Sequence, residues 1–362
     1  MRLLVLGGSH HVGRTMVESA LARGDQVTTL NRGLARAPTP GVEALVADRT
    51  DTSALRAALG GREWDVVVDT WPMAPRVVRD SARLLSGRVG HYVYVSARDV
   101  HRWPWPPAAT ENAPLVDADP ASEDNYDYPA SKRGGELAVL ESFPTRSLLV
   151  RAGGVVGPYE NVARVSWWLR RCQRGGRLLA SGPPDRGVQF VDVRDLVAWT
   201  LSAAERGLHG PYTVTSPPDH MTVGELLDSV VQTTGGGAEL VWASPEFLEA
   251  SGLPLGLELS LRFPGVPHPT GVHDADVSAA LATGLTCRPV RDTVLDTWDW
   301  LRREGDPPPF GGVRPPWTSL DHDEEQRVLR RLASEWDYGV NSAQVALPNT
   351  DGDDGDTVGP TT

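Results

Sequence analysis

Short apolar runs alternate with amphipathic stretches through the first 215 residues of the chain, which has 362 residues in all. Each apolar run has the length of a strand, and most are followed by a stretch with apolar residues at helical spacing. Strands that are apolar throughout are typical of a parallel sheet covered by helices on both faces. The pattern therefore predicts an α/β fold with a doubly wound parallel sheet. The predicted strands are residues 3–6, 26–30, 44–47, 65–69, 91–96 and 147–151, and the predicted helices are residues 12–22, 52–59, 76–85 and 128–141.

The alternation stops in the segment 166–179 and again after Pro217. Beyond that point, helical spacing predicts helices at 223–232, 291–302 and 321–336. Two proline-rich stretches, 254–269 and 307–316, are expected to be loops. The acidic run 351–356 contains no apolar residue, so the tail at 346–362 is predicted to be disordered.

The charge balance narrows the classes of partner. Acidic residues number 47 against 35 Lys and Arg, which gives a formal net charge of −12. Such a chain repels phosphate backbones and anionic lipid, so neither a nucleic acid nor a membrane surface is expected as its partner. The first strand runs directly into glycine, which is not typical of a signal peptide or a membrane span. The two cysteines, Cys172 and Cys287, lie far apart, which favours a reduced, cytoplasmic setting.

A glycine-containing turn follows the first strand. Such a turn brings backbone amides and the positive end of a helix onto a pyrophosphate, and glycine allows the close approach. The usual three-glycine spacing would place its middle glycine at His10, so the pattern is imperfect; the alternative is a purely structural turn. Adjacent side chains at a helix start point apart, so His10 and His11 do not predict a metal site. The residues predicted to contact a dinucleotide here are Gly7, Gly8, Ser9, His11, Val12 and Gly13.

The second strand ends at Asn31 and Arg32, where many NAD sites carry a carboxylate for the adenosine ribose. An arginine there accommodates the additional phosphate of NADP. We therefore expect NADP as the cofactor, and NAD is the other possible cofactor. The alternative is that Arg32 is a plain surface charge that contacts no cofactor. Asp48 and Arg49 follow the third strand and are predicted to meet the adenine. Thr70, directly after the fourth strand, completes the predicted cofactor contacts.

Lys132 is the single lysine among the 35 basic residues, and it follows Tyr128 by four positions. On a helix, this spacing places both side chains on one face, one turn apart. A phenol has a pKa near 10 and is a weak acid–base group at neutral pH, but a nearby cation favours the phenolate. The spacing therefore predicts a catalytic pair in which the lysine lowers the pKa of the tyrosine.

Together these motifs resemble those of the extended short-chain dehydrogenase/reductase superfamily, in particular its NAD-dependent epimerase/dehydratase-like group. The resemblance covers approximately residues 1–305 and includes the segments 151–158, 189–195 and 284–297. It implies a Rossmann domain, with Tyr128 as the catalytic acid–base and Lys132 holding the nicotinamide ribose. The Rossmann domain is then expected at 1–160, completed by about 188–215, and a smaller substrate-binding region at 161–187 and 216–345.

The chain departs from the family at the third catalytic group. The family has a Ser or Thr at the end of the fifth strand, and the alignment places Ala97 there. Alanine cannot form a hydrogen bond to a carbonyl or hydroxyl group. Ser96, Asp99, His101 and Tyr126 are possible substitutes, and the sequence does not choose among them. Ser96 is included with Tyr128 and Lys132 as the predicted catalytic set.

A second departure concerns the substrate. Family members that act on sugar nucleotides often carry an arginine at the position of Val188, where it pairs with diphosphate. Its absence favours a substrate without a diphosphate, although Arg186 is an alternative partner. Prolines hold the tryptophans of the loop 100–107 in a rigid backbone, and these rings can line a pocket for a flat or apolar substrate. Packing of the rings on the core is the alternative. The predicted substrate contacts are Trp71, Ala97, Asp99, Trp103 and Trp105.

These features predict an NAD(P)-dependent oxidoreductase that acts on a ketone or secondary alcohol of a small molecule, as in bacterial secondary metabolism. One alternative is a sugar-nucleotide epimerase or dehydratase that oxidises its substrate only transiently. The other is a dinucleotide-binding protein without turnover, which only Ala97 favours. The family often dimerises through the helices that correspond to 76–85 and 128–141, so a homodimer is possible.

Overall fold

The structure, a computed structural model, describes residues 1–34, 39–253, 271–306, 320 and 322–344. It divides into a first unit, Met1–Ser319, and a second unit, Leu320–Thr362. The strands of the first unit are β1 (Arg2–Leu6), β2 (Gln26–Asn31), β3 (Glu43–Val46), β4 (Trp64–Asp69), β5 (Val89–Ala97), β6 (Ser147–Ala152), β7 (Gly154–Val156), β8 (Gly176–Ser181), β9 (Phe190–Asp192), β10 (Gly210–Val214) and β11 (Ala238–Ala243). Its helices are α1 (His11–Ala22), α2 (Thr52–Leu59), α3 (Pro75–Leu85), α4 (Tyr128–Ser142), α5 (Val165–Gln173), α6 (Val193–Glu205), α7 (Val223–Thr234), α8 (Pro245–Ala250), α9 (Ser278–Ala282) and α10 (Val290–Glu304). The second unit contains α11 (His322–Gln344).

The central sheet has seven parallel strands in the order β10-β6-β5-β4-β1-β2-β3. The order reverses at β1, which lies between β2 and β4. This arrangement confirms the predicted Rossmann-like doubly wound sheet. In such a sheet the crevice for a ligand lies outside the carboxyl ends of the strands at the reversal.

The two faces of the sheet are buried under separate sets of helices. Leu3 and Val5 of β1 belong to an apolar cluster with residues of α1 and α6. Leu4 and Leu6 belong to a second cluster, which includes residues of α2, α3 and α4. Successive side chains of a strand point to opposite faces, so a strand covered on both sides must be apolar throughout.

A third apolar cluster lies outside the central sheet. It joins α5, α7 and α10 around large side chains that include Trp168, Phe190 and Trp298. Strand β8 pairs in parallel with β11, and β7 pairs with β9. None of the strands β7 to β11 was predicted. They are three to six residues long and pair with distant parts of the chain, so local periodicity gives little sign of them.

The predicted strands and helices of the first unit agree with the observed elements to within two residues at each end. Helix α11 extends eight residues beyond its predicted C-terminus. The predicted loops at 254–269 and 307–316 and the tail at 346–362 lie outside the described residues. The domain boundaries and the homodimer stay predictions. Within the described ranges, no helix is long and apolar enough to cross a membrane.

Helix α4 packs closely on its neighbours because two consecutive glycines face them. A Cβ atom on Gly134 would lie 2.5 Å from Cγ of Pro75, at the start of α3. A Cβ atom on Gly135 would overlap the phenol of Tyr94, which is fully buried on β5. The small residues therefore set the distance of α4 from the sheet and from α3.

We expect Gly135→Ala to lower the free energy of unfolding by up to about 2 kcal/mol. Overpacking a core costs about 1–3 kcal/mol, whereas the better helix propensity of alanine returns about 1 kcal/mol. Chemical denaturation measures the change. Gly61→Ala is the matched control, because a Cβ atom there meets nothing within 4 Å. Equal unfolding midpoints for the two variants would contradict the proposed close packing.

Candidate active site

A cavity of about 760 Å³ opens at the carboxyl ends of β1, β4 and β5. It lies where the strand order reverses, which is the expected ligand position in this fold. Every predicted site residue except Trp103 lines it. These residues are Gly7, Gly8, Ser9, His11, Val12, Gly13, Asn31, Arg32, Asp48, Arg49, Thr70, Trp71, Ser96, Ala97, Asp99, Trp105, Tyr128 and Lys132.

The turn between β1 and α1 has the backbone of a phosphate-binding turn. Gly7 and Gly8 have φ values of 128° and 97°, which residues other than glycine rarely adopt. A Cβ atom on Gly13 would lie 2.6 Å from the backbone nitrogen of Gly8, so only glycine lets α1 begin so close to the turn. His10 occupies the N-cap of α1 without a side-chain cap hydrogen bond. The residues of the turn thus fit a dinucleotide pyrophosphate, although the middle glycine of the motif is missing.

His11 lines the inner end of this turn and is only 8% exposed. Its Nε2 atom has no hydrogen-bond partner. Burial and, to a smaller extent, the charge of Arg164 lower the pKa of His11 to about 3, although the charge of Asp192 opposes the change. His11 is therefore neutral at physiological pH. Among the described residues, no three His, Cys, Asp or Glu side chains form a group that could hold a metal ion.

Asn31, Arg32 and Asp48 line the end of the cavity beyond β2 and β3. The Asn31 side chain donates to the backbone oxygen of Gly7 at 3.4 Å and accepts from Gly33 N at 2.8 Å. Hydrogen bonds from Thr50 lower the pKa of Asp48, and the charge of Arg32 contributes to that shift. Arg32 and Asp48 are both exposed, so each can reach a ligand at this end.

Arg49 is turned into the interior. Its guanidinium donates four hydrogen bonds, two to Asp69 and two to Ser81, and the Arg49–Asp69 pair is 5% and 0% exposed. Burial raises the pKa of Asp69, but Arg49 outweighs this effect and holds it below the usual value. The predicted adenine contact of Arg49 is therefore opposed by the geometry, because most of its donors are already used. Its partner Asp69 was not among the predicted site residues, because no motif marks it.

Helix α4 presents Lys132 to the cavity. Asp127 caps the helix by accepting from Ala130 N, and Lys132 is one turn further on. The Lys132 ammonium is 3% exposed and donates to the backbone oxygens of Val95 at 2.7 Å and Trp71 at 2.9 Å. Burial lowers its pKa to about 8, although nearby carboxylates oppose the change. Two of the three ammonium donors are thus used by the protein, and one remains for a ligand.

Tyr128 lies at the cavity mouth and is 44% exposed. The Lys132 ammonium nitrogen is 6.0 Å from the centre of its ring. Desolvation by the surrounding cleft and the carboxylate of Asp99 raise the pKa of Tyr128, whereas Arg164 opposes the rise. The net pKa of Tyr128 is raised because desolvation and Asp99 dominate, and the lowering effect of Lys132 stays a prediction. Tyr128 is therefore a protonated phenol at neutral pH.

Ser96 lines the cavity, but its hydroxyl donates to Oε1 of Glu136 at 2.8 Å. Glu136 is fully buried and also forms ion pairs with Arg151 and Arg133. This network holds the Ser96 hydroxyl toward α4. The geometry therefore opposes the predicted catalytic role of Ser96, and Ala97 leaves the adjacent position without a hydroxyl.

Among the other substitutes considered for that hydroxyl, only Asp99 lines the cavity. It lies in the single turn Arg98–Val100 that follows β5. Burial raises the pKa of Asp99, opposed by the positive charges of Arg164, Arg98 and Lys132. His101 is buried with its Nδ1 atom 3.2 Å from the oxygen of Ala113, and Tyr126 is 98% exposed. Asp99 is thus the polar group placed to face a substrate beside Tyr128.

Two of the three predicted tryptophans line the cavity. Trp71 is half-buried, and its backbone oxygen accepts from Lys132. Trp105 is 6% exposed and donates its indole N–H to the oxygen of His101 at 3.1 Å. Trp103 packs edge-on against Trp105 with ring centres 5.5 Å apart, but it does not line the cavity. The predicted direct contact of Trp103 with a substrate is therefore not supported.

Arg164 lines the cavity immediately before α5 and was not among the predicted site residues. No motif distinguishes it from the 33 other arginines of the chain. The position of α5 at the carboxyl edge of the sheet brings the charge of Arg164 near Tyr128 and Asp99. Both groups therefore act on the pKa of Arg164.

Comparison with known proteins places this site in a family. No family model matches the chain. The 3-diazoavenalumate denitrifying reductase of a Streptomyces species is 31% identical over an alignment of 242 residues, and the match covers 59% of this chain and 76% of that protein. Sterol demethylase protein B of Methylococcus capsulatus is 27% identical over an alignment of 257 residues, and the match covers 65% of this chain and 75% of that protein.

Solved structures share the fold. WbmH of Bordetella bronchiseptica in complex with NAD+ has a TM-score of 0.65 at 19% identity, covering 84% of this chain and 99% of that one. WbmG of the same organism in complex with NAD and UDP has a TM-score of 0.62 at 17% identity, covering 84% of this chain and 96% of that one. The chain belongs to the extended short-chain dehydrogenase/reductase superfamily, in its NAD-dependent epimerase/dehydratase-like group. It is an enzyme that uses a nicotinamide dinucleotide.

We expect acid to destabilise the protein through His11. The folded protein keeps His11 neutral down to a pH of about 3, whereas the unfolded chain takes up a proton below its ordinary pKa of 6.5. Stability from this residue is therefore complete above pH 6.5 and is lost as the pH falls toward 3. At pH 5 the loss is about 2 kcal/mol.

Urea unfolding at pH 7.5 and pH 5 measures this effect. We expect His11→Asn to lose about 2 kcal/mol less than the wild type on acidification. His209→Asn, at an exposed position, should follow the wild type. An equal acid-induced loss in His11→Asn and the wild type would show that His11 is not the titrating group.

Proposed function

We propose that the enzyme is an NAD(P)H-dependent reductase of a carbonyl group on a small organic substrate. The observation that carries the proposal is the placement of the Tyr128 phenol, which lines the cavity together with Asp99 and Lys132. In this direction hydride adds to the carbonyl carbon, and the carbonyl oxygen takes a proton to become a hydroxyl. A phenol that keeps its proton at neutral pH has that proton to give to the oxygen.

Each residue of the proposed site has a separate role. The dinucleotide, when bound, supplies the hydride. Lys132 keeps one ammonium donor for the ribose while it is held by two backbone oxygens. Tyr128 donates the proton to the substrate oxygen. Asp99 takes the place of the hydroxyl missing at Ala97, because it is the polar side chain on the cavity wall beside Tyr128 in the turn that follows β5.

The relative at 31% identity, which is named as a reductase, supports net reduction. Its Streptomyces origin also supports a role in secondary metabolism. Val188 provides a further argument, because it is fully buried in an apolar cluster at the position where sugar-nucleotide enzymes carry a diphosphate-binding arginine. We therefore propose a substrate without a diphosphate.

An epimerase or dehydratase that acts on a sugar nucleotide is the second candidate. It is favoured by the solved neighbour that binds both NAD and UDP. The two candidates differ in redox balance, because an epimerase regenerates its cofactor and consumes none. Net oxidation of NADPH by a ketone supports the reductase. Conversion of UDP-glucose without net NADPH oxidation supports the epimerase.

We expect Tyr128→Phe to lower turnover by about 10²–10⁴-fold, because general acid catalysis contributes a factor of that size. Dinucleotide affinity should change little, since the glycine turn is intact. Lys132→Arg should also fail, because a guanidinium does not match the compact ammonium that reaches two backbone oxygens. NADPH consumption with the best substrate of an aromatic ketone panel measures turnover. Tyr126→Phe, two positions earlier and 98% exposed, is the control and should keep its activity. Near-native activity of Tyr128→Phe would contradict the proposed mechanism.

We further propose that the enzyme prefers NADP(H), because Arg32 is placed at the end of β2 where a carboxylate would favour NAD. Titration with both dinucleotides should show tighter binding of NADPH, and Arg32→Ala should remove most of that preference. Arg83→Ala, at an exposed position on α3, should keep it. Equal affinities in the wild type would remove the argument.

A further inference from the structure

Arg164 presents a positive charge to the cavity, and no described residue of opposite charge forms an ion pair with it. Its Nε atom is buried and has no hydrogen-bond partner. Its guanidinium makes one long hydrogen bond, from Nη1 to the oxygen of Val155 at 3.5 Å. In the part of the chain that the structure describes, Arg164 forms no ion pair.

Three buried arginines of this unit, Arg49, Arg98 and Arg151, are satisfied by the protein. Arg49 and Arg151 form ion pairs with Asp69 and Glu136. Arg98 donates to the backbone oxygens of Val272 and Gly271 and to the side chain of Gln189. A desolvated cation without such partners is costly, and burial lowers the pKa of Arg164. An anionic ligand would supply what the protein does not.

Glu160 does not fill this role. It is fully buried and accepts hydrogen bonds from both the backbone N–H and the hydroxyl of Ser166, each at 2.6 Å. Its carboxylate therefore caps the start of α5 rather than contacting Arg164. The charge of Glu160 acts on Arg164 only from beyond ion-pair distance.

The surroundings of Arg164 indicate which anion it would bind. Its strongest electrostatic neighbours after Glu160 are Tyr128 and Asp99, at the reacting end of the cavity. The pyrophosphate of a dinucleotide already has the backbone amides of the glycine turn. His11 offers a second unpartnered polar atom to the same cavity and is 8% exposed. The planar fork of a guanidinium matches a carboxylate.

We propose that Arg164 binds a carboxylate of the substrate, so that the enzyme acts on an organic acid. The proposal rests on the reductase function proposed above and specifies its substrate class. Trp71 and Trp105 also line the cavity, which makes a flat, aromatic acid the best-matched compound. Arg164 is in this view a specificity residue and takes no part in proton transfer.

The test compares a carboxylate with its uncharged counterpart on the protein saturated with NADP+. The probes are 2-naphthoate and 2-naphthamide, and calorimetric titration measures their affinities. Hydrogen bonds to charged groups contribute about 1.5–3 kcal/mol, which corresponds to about 10–150-fold in affinity. We expect the wild type to bind 2-naphthoate at least tenfold more tightly than 2-naphthamide, and Arg164→Gln to lose that difference. Arg174→Gln, at the exposed end of α5, should keep it.

Other outcomes overturn the proposal. A wild type that binds the two probes equally has no carboxylate site. If Arg164→Gln weakens NADP+ binding and keeps the preference for 2-naphthoate, Arg164 serves a phosphate of the dinucleotide instead. If Arg164→Gln binds no NADP+, Arg164→Lys replaces it. Arg164→Lys should bind 2-naphthoate at least threefold more weakly than the wild type, because an ammonium lacks the planar fork of a guanidinium. Equal affinity of this variant and the wild type for 2-naphthoate overturns the proposed contact between Arg164 and the carboxylate.

The binding assay also separates this proposal from the proposed function, because it needs no turnover. An active Tyr128→Phe variant that still prefers 2-naphthoate rejects the proton-transfer mechanism and keeps the carboxylate site. An inactive Tyr128→Phe variant together with equal binding of the two probes to the wild type rejects the carboxylate site alone.

Discussion

The close packing of α4 against β5 is the constraint on which the proposed site depends. Gly134 and Gly135 leave no side chain between this helix and its neighbours, so the helix lies close to the sheet. The buried Glu136–Arg151 pair joins it to β6, and the Lys132 ammonium joins it to backbone oxygens after β4 and on β5. One helix therefore presents a phenol and an ammonium to the carboxyl edge of the sheet at a fixed distance. A shift of α4 would change every contact of the proposed proton donor.

The electrostatics of the site depend on which charged side chains form ion pairs within the protein. Asp69 and Glu136 are buried carboxylates, and each is neutralised by an arginine in direct contact. Asp99 and Arg164 also lie in the cavity wall, but no ion pair joins them to each other or to other described residues. The groups that support the fold are thus paired, whereas those facing the cavity remain available to a ligand. Desolvation and the charge of Asp99 raise the pKa of Tyr128, whereas the charge of Arg164 opposes the rise.

Much of the site was predictable because its residues belong to local motifs. The glycine turn, the residues at the ends of β2 and β3, and the Tyr128–Lys132 spacing all lie in short segments with recognisable patterns. Side-chain direction was less predictable. Ser96 and Arg49 occupy the predicted positions, yet their polar groups donate to Glu136 and Asp69. Nothing in a strand pattern shows which buried carboxylate will lie opposite a given hydroxyl or guanidinium, because these partners are 40 and 20 residues away.

The sequence by itself determined the strands β1 to β6, the helices α1 to α4 and the parallel sheet, because apolar periodicity is a local property that burial on two faces imposes. Tertiary structure decided the short strands β7 to β11, which exist only as pairs of distant segments. It also decided the state of Tyr128 and the exposure of Arg164 to the cavity. A pKa and an unpaired charge depend on every group that folding brings within a few ångströms, and those groups come from β5, α4 and the start of α5.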